Sequence, residues 1–160
     1  MSRPEEGKAR PNFAQLMATT IQPLRVLYID DDEMALTMTQ LQLLKAGIHM
    51  EATSDALEAV GIMATQELDL VLLDSVMPTI DGIEFLHLMR SLQLDFPVVF
   101  LTGHGAEQLQ ELVREFNVLD ILDKQKHRME LPARLRALHS DYINREFSRQ
   151  SDFGGHRAAS

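Results

Sequence analysis

Five short runs of aliphatic and β-branched residues, at 24–29, 48–53, 69–74, 97–101 and 118–122, alternate with longer segments whose apolar residues recur every three or four positions. Apolar runs of strand length followed by segments of helical period, repeated five times, are the sequence form of βα units. Such units require a parallel sheet, because successive parallel strands can be joined only by a crossover. The expected fold is therefore α/β, an open doubly wound (βα)5 parallel sheet. Leu70-Val71-Leu72-Leu73 is apolar without interruption, as a central strand covered on both faces must be. Helices are expected at about 33–46, 54–66, 83–92, 107–116 and 129–147. In the first, Met34, Met38, Leu41 and Leu44 share one face and Gly47 closes the helix; Ser54 can cap the second; in the last, Leu131, Leu135, Leu138 and Tyr142 form the stripe that packs on the sheet.

A chain of 160 residues suits one such domain, placed at 24–143. Residues 1–23, with Pro4, Pro11 and Pro23, are expected to be a tail, and 144–160 a helical extension and tail. No second domain fits after 143, so output is expected through protein contact, and the extended last helix offers a surface for a homodimer. Apolar runs are too short for a membrane helix or a signal peptide, and there is no cysteine. A cytoplasmic protein is expected, without membrane insertion. Residues 25–123 carry four basic against eighteen acidic side chains, which makes nucleic acid a poor partner for the body of the domain.

In doubly wound sheets the functional crevice lies at the carboxyl ends of the strands. There the chain places Asp30-Asp31-Asp32 after the first strand, Asp74 after the third, Thr102 after the fourth and Lys124 just past the fifth. Clustered carboxylates repel, and a divalent cation relieves that repulsion. Hard oxygen ligands without His or Cys point to Mg2+, which keeps positions open for phosphate oxygens, while an ammonium and a hydroxyl suit the remaining oxygens of a phosphoryl group. The constellation reads as phosphoryl chemistry.

The order and spacing of Val26-Leu27-Tyr28-Ile29-Asp30-Asp31-Asp32-Glu33, Asp69-Leu70-Val71-Leu72-Leu73-Asp74 with Met77-Pro78-Thr79-Ile80-Asp81-Gly82, Val98-Val99-Phe100-Leu101-Thr102-Gly103 and Asp123-Lys124 resembles the receiver domain of two-component response regulators, of the stand-alone type, across about 24–143. The resemblance implies a flavodoxin-like receiver fold and a signalling protein that is not an enzyme in its own right. It implies that Asp74 is the phosphoacceptor, taking a phosphoryl group from the phosphohistidine of a sensor histidine kinase or phosphotransfer protein. It further implies that Asp30, Asp31, Asp74 and the backbone carbonyl of Val76 hold Mg2+, that Lys124 pairs with phosphoryl oxygens, and that Thr102 moves to bond the phosphoryl group. The downstream target is a protein that the sequence does not name.

The chain also departs from that pattern. Gln125 stands where the family has proline after the lysine, so the following loop is either reshaped or strained. Ile121 replaces the aromatic residue three positions before the lysine, and Phe116-Asn117-Val118-Leu119 replaces the usual small pair before the fifth strand. A specialised face over the fourth helix, fifth strand and fifth helix is expected. Val76, two residues after Asp74, cannot orient a hydrolytic water, and His104 lies two residues after Thr102, so slow loss of phosphate is expected; the other five histidines read as surface residues. Two rival functions are a phosphorylation-independent binding module and, remotely, a haloacid-dehalogenase-like phosphatase using the D-x-D spacing of Asp30 and Asp32. The second leaves Asp74 without a role. No G-x-x-x-x-G-K-[ST] loop is present for a nucleotide triphosphatase.

Overall fold

Each of the five apolar runs forms a strand: β1 (Arg25–Ile29), β2 (His49–Thr53), β3 (Leu70–Asp74), β4 (Val98–Thr102) and β5 (Val118–Asp123). The computed structural model describes residues 22–153, and its helices are α1 (Glu33–Lys45), α2 (Ala56–Thr65), α3 (Gly82–Ser91), α4 (Ala106–Leu112) and α5 (Leu131–Phe153). All pairings are parallel, in the order β2-β1-β3-β4-β5. The chain winds one way from β1 to β2 and the other way from β3 onward, which leaves the crevice of a doubly wound sheet between the ends of β1 and β3.

Strand alternation sorts the core into two layers. Val26, Tyr28, Leu70, Leu72, Val99 and Leu101 point to one face, where Leu36 and Leu43 of α1 and Leu131 and Leu135 of α5 cover them. Leu27, Ile29, Val71, Leu73, Val98 and Phe100 point to the other, under Ala59 and Met63 of α2 and Phe85, Leu86 and Met89 of α3. Burial of each large aliphatic or aromatic side chain contributes roughly 1.5–3 kcal/mol, so the two layers hold most of what opposes chain entropy.

Helix α1 corrects the expected packing. Met34, Met38, Leu41 and Leu44 are exposed, and the residues that meet the sheet are Leu36 and Leu43, seven apart. Apolar residues lie around much of this helix, so spacing alone does not single out the buried side. Gly47 does close the helix, at φ +73, with Gly47 N–H donating to Leu44 O and Ile48 N–H to Leu43 O, both within 3.0 Å.

Other boundaries shift. Asp55, not Ser54, caps α2, its carboxylate accepting from Glu58 N–H. Helix α4 stops at Leu112, short of the expected 116, and α5 starts at Leu131 and runs unbroken to Phe153. At 1.5 Å per residue, the 23 residues of α5 far outreach the sheet beside them, and Ile143 and Phe147 beyond its packed part are exposed. Residues 1–21 of the expected N-terminal tail and 154–160 of the C-terminal one lie outside the described residues.

Candidate functional site

The site is assembled by strand ends. Asp74 is the last residue of β3 and Thr102 the last of β4, Asp30 directly follows β1, and Lys124 follows β5 by one position. Because the strands are parallel and nearly in register, with Leu73 opposite Ile29 and Leu101 opposite Asp74, these residues emerge on one edge of the sheet.

Carboxylate oxygens of Asp30, Asp31 and Asp74 lie within 4.8 Å of one another. Asp30 is fully buried, Asp74 is buried, and Asp31 is exposed. Lys124 bridges the two buried acids, its Nζ 2.6 Å from Asp30 Oδ2 and 3.3 Å from Asp74 Oδ1. Burial first, and then the charge of Asp30, push Asp74 up to about 6, against the lowering pull of Lys124. On Lys124, burial is the largest single influence and lowers the pKa, but the hydrogen bonds and charges of Asp30 and Asp74 together outweigh it and the ammonium is held above its ordinary range.

Two further side chains complete the network, and the sequence reading missed both. Tyr28, two residues before Asp30 and therefore on the same side of β1, donates its hydroxyl to Asp30 Oδ2 at 2.5 Å. Burial, then that bond, keep this phenol protonated far above its usual range. Ser75, next to Asp74, donates to Thr102 Oγ1 at 2.9 Å. Thr102 in turn donates to His104 O at 2.5 Å and accepts from His104 N–H at 3.2 Å, so its hydroxyl is occupied by protein partners. The i, i+2 spacing of Tyr28 and Asp30 was the available signal for the first; nothing in the spacing marked the second.

Asp32 stands outside the cluster of Asp30, Asp31 and Asp74. It is the N-cap of α1, accepting from Met34 and Ala35 N–H, and its own N–H fixes Asp30 Oδ1 at 2.9 Å. Gly82 opens α3 so close to β3 that a Cβ there would lie 2.9 Å from the backbone oxygen of Asp74 and 2.5 Å from the Phe100 ring. Asp81 caps the same helix in a reciprocal capping box with Glu84. Val76 exposes its side chain, and its backbone beside the Asp74 carboxylate works to lower that group's pKa against the effect of burial.

Beyond Lys124 the chain takes a turn held by Asp123, whose Oδ1 accepts from Gln125 and Lys126 N–H at 2.8 and 2.9 Å. These bonds hold Asp123 below the usual carboxylate range. Peptides are trans throughout the described residues, and Lys124 reaches both acids. Two histidines expected at the surface have structural contacts instead: His127 Nδ1 accepts from Asp123 N–H at 3.0 Å, and His139, partly buried in α5, lies 3.9 Å from Asp69.

A family model described as the response regulator receiver domain matches residues 26–136. The chain belongs to the response regulator receiver domain family. This receiver is 32% identical over 114 residues to the alkaline phosphatase synthesis transcriptional regulatory protein PhoP of Bacillus subtilis, covering 71% of this chain and 48% of that protein. It is 33% identical over 116 residues to the response regulator MprA of Mycobacterium sp., covering 72% and 50%. The chain spans about half the length of these curated relatives. Among solved structures it is similar to the receiver domain of the Francisella response regulator 1452, with a TM-score of 0.66 and 27% identity over 74% of this chain and 98% of that one. The fold is also that of the response regulator TrrA from Thermotoga maritima in complex with Mg(2+)-BeF, with a TM-score of 0.62 and 23% identity over 72% and 98%.

Proposed function

We propose that this receiver accepts a phosphoryl group on Asp74 from the phosphohistidine of a sensor histidine kinase or phosphotransfer protein. The observation that carries the reading is the convergence of three carboxylates within 4.8 Å beside a lysine that bridges two of them. An Asp74 carboxylate oxygen forms the new bond to phosphorus as the phosphorus–nitrogen bond to imidazole breaks, and the electron pair stays on the imidazole, which takes up a proton. The donor set, all oxygen and open to solvent at Asp31, fits Mg2+. Asp30, Asp31, Asp74 and the Val76 carbonyl would hold the ion, which supplies positive charge against the phosphoryl oxygens. Lys124 then neutralises a phosphoryl oxygen and Thr102 exchanges its protein partners for another.

Asp30 is poorly suited to the phosphatase alternative. It is fully buried, whereas a nucleophile must be open to its substrate. The binding-module alternative drew on Gln125, yet with Gln125 in that place Lys124 lies within bonding distance of the site.

The exposed apolar side of α1 borders the site: Met34 and Met38 line a cleft of about 530 Å3 together with Tyr28, Leu101, Lys124 and Leu131. A protein that presents a phosphohistidine to Asp74 meets this apolar rim, and burying it contributes affinity. The exposed Ile143 and Phe147 of α5 suit a second copy of the chain or an output partner. No helix among the described residues is long and apolar enough to cross a membrane.

The test is intact mass after incubation with acetyl phosphate and Mg2+, on the wild type and on Asp74→Asn. One phosphoryl adduct is expected, absent without Mg2+ and absent in the variant. With Val76 exposed and apolar beside Asp74, the adduct is expected to persist for minutes or longer; decay within seconds contradicts that part of the reading. No adduct from acetyl phosphate or from a panel of phosphorylated kinases returns the domain to the binding-module alternative.

A further inference from the structure

Asp30 has no contact with solvent, so both of its oxygens depend on protein donors. Oδ1 has one, the Asp32 N–H at 2.9 Å. Oδ2 has two, the Tyr28 hydroxyl at 2.5 Å and the Lys124 ammonium at 2.6 Å. The two donors are built differently. Tyr28 is 1% exposed, its ring packed in the layer formed with Leu101, Leu122 and Leu131, and only two torsions define where its hydroxyl sits. Lys124 stands on a four-carbon stem at the start of a loop, its side chain 27% exposed, and already reaches toward Asp74 at 3.3 Å.

We propose that Tyr28 is a positioning residue: its hydroxyl holds Asp30 Oδ2 in place when Lys124 leaves that oxygen for the phosphoryl group on Asp74. This rests on the phosphoacceptor reading above. Any pairing of Lys124 with phosphoryl oxygens draws its Nζ away from Asp30. Without Tyr28, that departure would strand a buried carboxylate oxygen with no donor, and the cost would fall on the step that needs Lys124. With Tyr28 present, one strong donor remains and the carboxylate cannot turn about its last torsion. Asp30 then keeps the orientation in which one of its oxygens lies within 4.8 Å of carboxylate oxygens of Asp31 and Asp74. Support of a ligating carboxylate by an outer hydrogen bond of this kind is typically worth about tenfold or more in metal affinity.

The experiment is titration calorimetry of the full chain with Mg2+, on wild type, Tyr28→Phe, Lys124→Ala and the double variant. Tyr28→Phe keeps the ring and removes one oxygen. Its Mg2+ affinity is expected to fall about tenfold. In the Lys124→Ala background, where Tyr28 is the remaining side-chain donor to Oδ2, the same substitution is expected to cost at least threefold more than it does in wild type. A role in packing alone would give no such dependence on Lys124. Affinity of Tyr28→Phe within twofold of wild type, or equal losses in the two backgrounds, overturns the proposal. If Tyr28→Phe fails to fold, Tyr28→Leu serves in its place, with Mg2+ affinity read against thermal stability; a folded Tyr28→Leu with wild-type affinity also overturns it. Absence of Mg2+ binding by the wild type itself would instead refute the metal-site reading, which separates the two failures.

Discussion

The hydroxyl of Ser75 donates to that of Thr102 across 2.9 Å, tying the neighbour of the proposed phosphoacceptor Asp74 to the residue proposed to move toward it. Both are buried, and Thr102 is further held by its two bonds with the backbone of His104. Ser75→Ala removes one of these restraints. The lost bond is worth about 1 kcal/mol, so the fold is expected to weaken by that amount, while Thr102 becomes easier to draw away by the same amount. That corresponds to an increase of up to about fivefold in the initial rate of phosphorylation by acetyl phosphate. Time-resolved intact mass measures the rate, and a slower variant would show that Ser75 assists Thr102 instead of restraining it.

Gly82 makes a second prediction, and here the cause is space, not backbone angle. A methyl group at this position would press on the backbone oxygen of Asp74 and on Phe100. Strand and helix are both locked by the core, so neither yields cheaply, and Gly82→Ala is expected to cost about 1–3 kcal/mol in chemical denaturation. The shift also moves Asp74, so the variant is expected to be phosphorylated more slowly even where it is fully folded. A variant as stable as wild type would mean that α3 can slide away from β3.

Helix α1 separates what spacing reveals from what packing decides. Leu43 is fully buried, whereas Met38 is about half exposed. Leu43→Ala is expected to cost about 2–5 kcal/mol, and Met38→Ala less than about 0.5 kcal/mol, as read from urea midpoints. If Met38 belongs to the partner surface, Met38→Glu also lowers phosphorylation by a protein donor while leaving that by acetyl phosphate unchanged. The reverse order of stabilities would restore the face that apolar spacing alone suggested.

What was legible and what was not follow from the range of the interactions. Each apolar run of strand length is a local signal, so the parallel sheet could be read directly, and the strand ends then brought Asp30, Asp74, Thr102 and Lys124 together. The buried side of α1 was illegible because Met34, Met38 and Leu41 are as apolar as Leu36 and Leu43, and only the sheet and α5 choose between them. Capping was legible where a single candidate stood, as at Gly47, and ambiguous where Ser54 and Asp55 stood side by side. The second layer of the site was hidden for a similar reason. Tyr28 reads as an ordinary strand aromatic until its hydroxyl is seen to meet Asp30, and Ser75 bonds a residue 27 positions away.

The raised pKa of Asp74 gives the last prediction. Burial and the neighbouring Asp30 lift it to about 6 in the folded chain without metal, from an ordinary value of 3.8. The folded state therefore binds the proton more tightly than the unfolded state, and between these two values stability falls as pH rises. The ionised carboxylate destabilises the fold fully above about pH 6, and the penalty is relieved as pH drops toward 3.8. A shift of this size corresponds to something on the order of 2–3 kcal/mol. Asp74→Asn, neutral at every pH, is expected to be more stable than wild type at pH 7.5 without Mg2+, and the difference is expected to vanish near pH 4. Mg2+ binds the ionised form, so it is expected to raise the melting temperature of wild type and to leave Asp74→Asn nearly unchanged. Melting curves at three pH values, with and without Mg2+, measure all of this. A gap between the two proteins that does not change with pH would place the origin of any stabilisation outside the charge on Asp74.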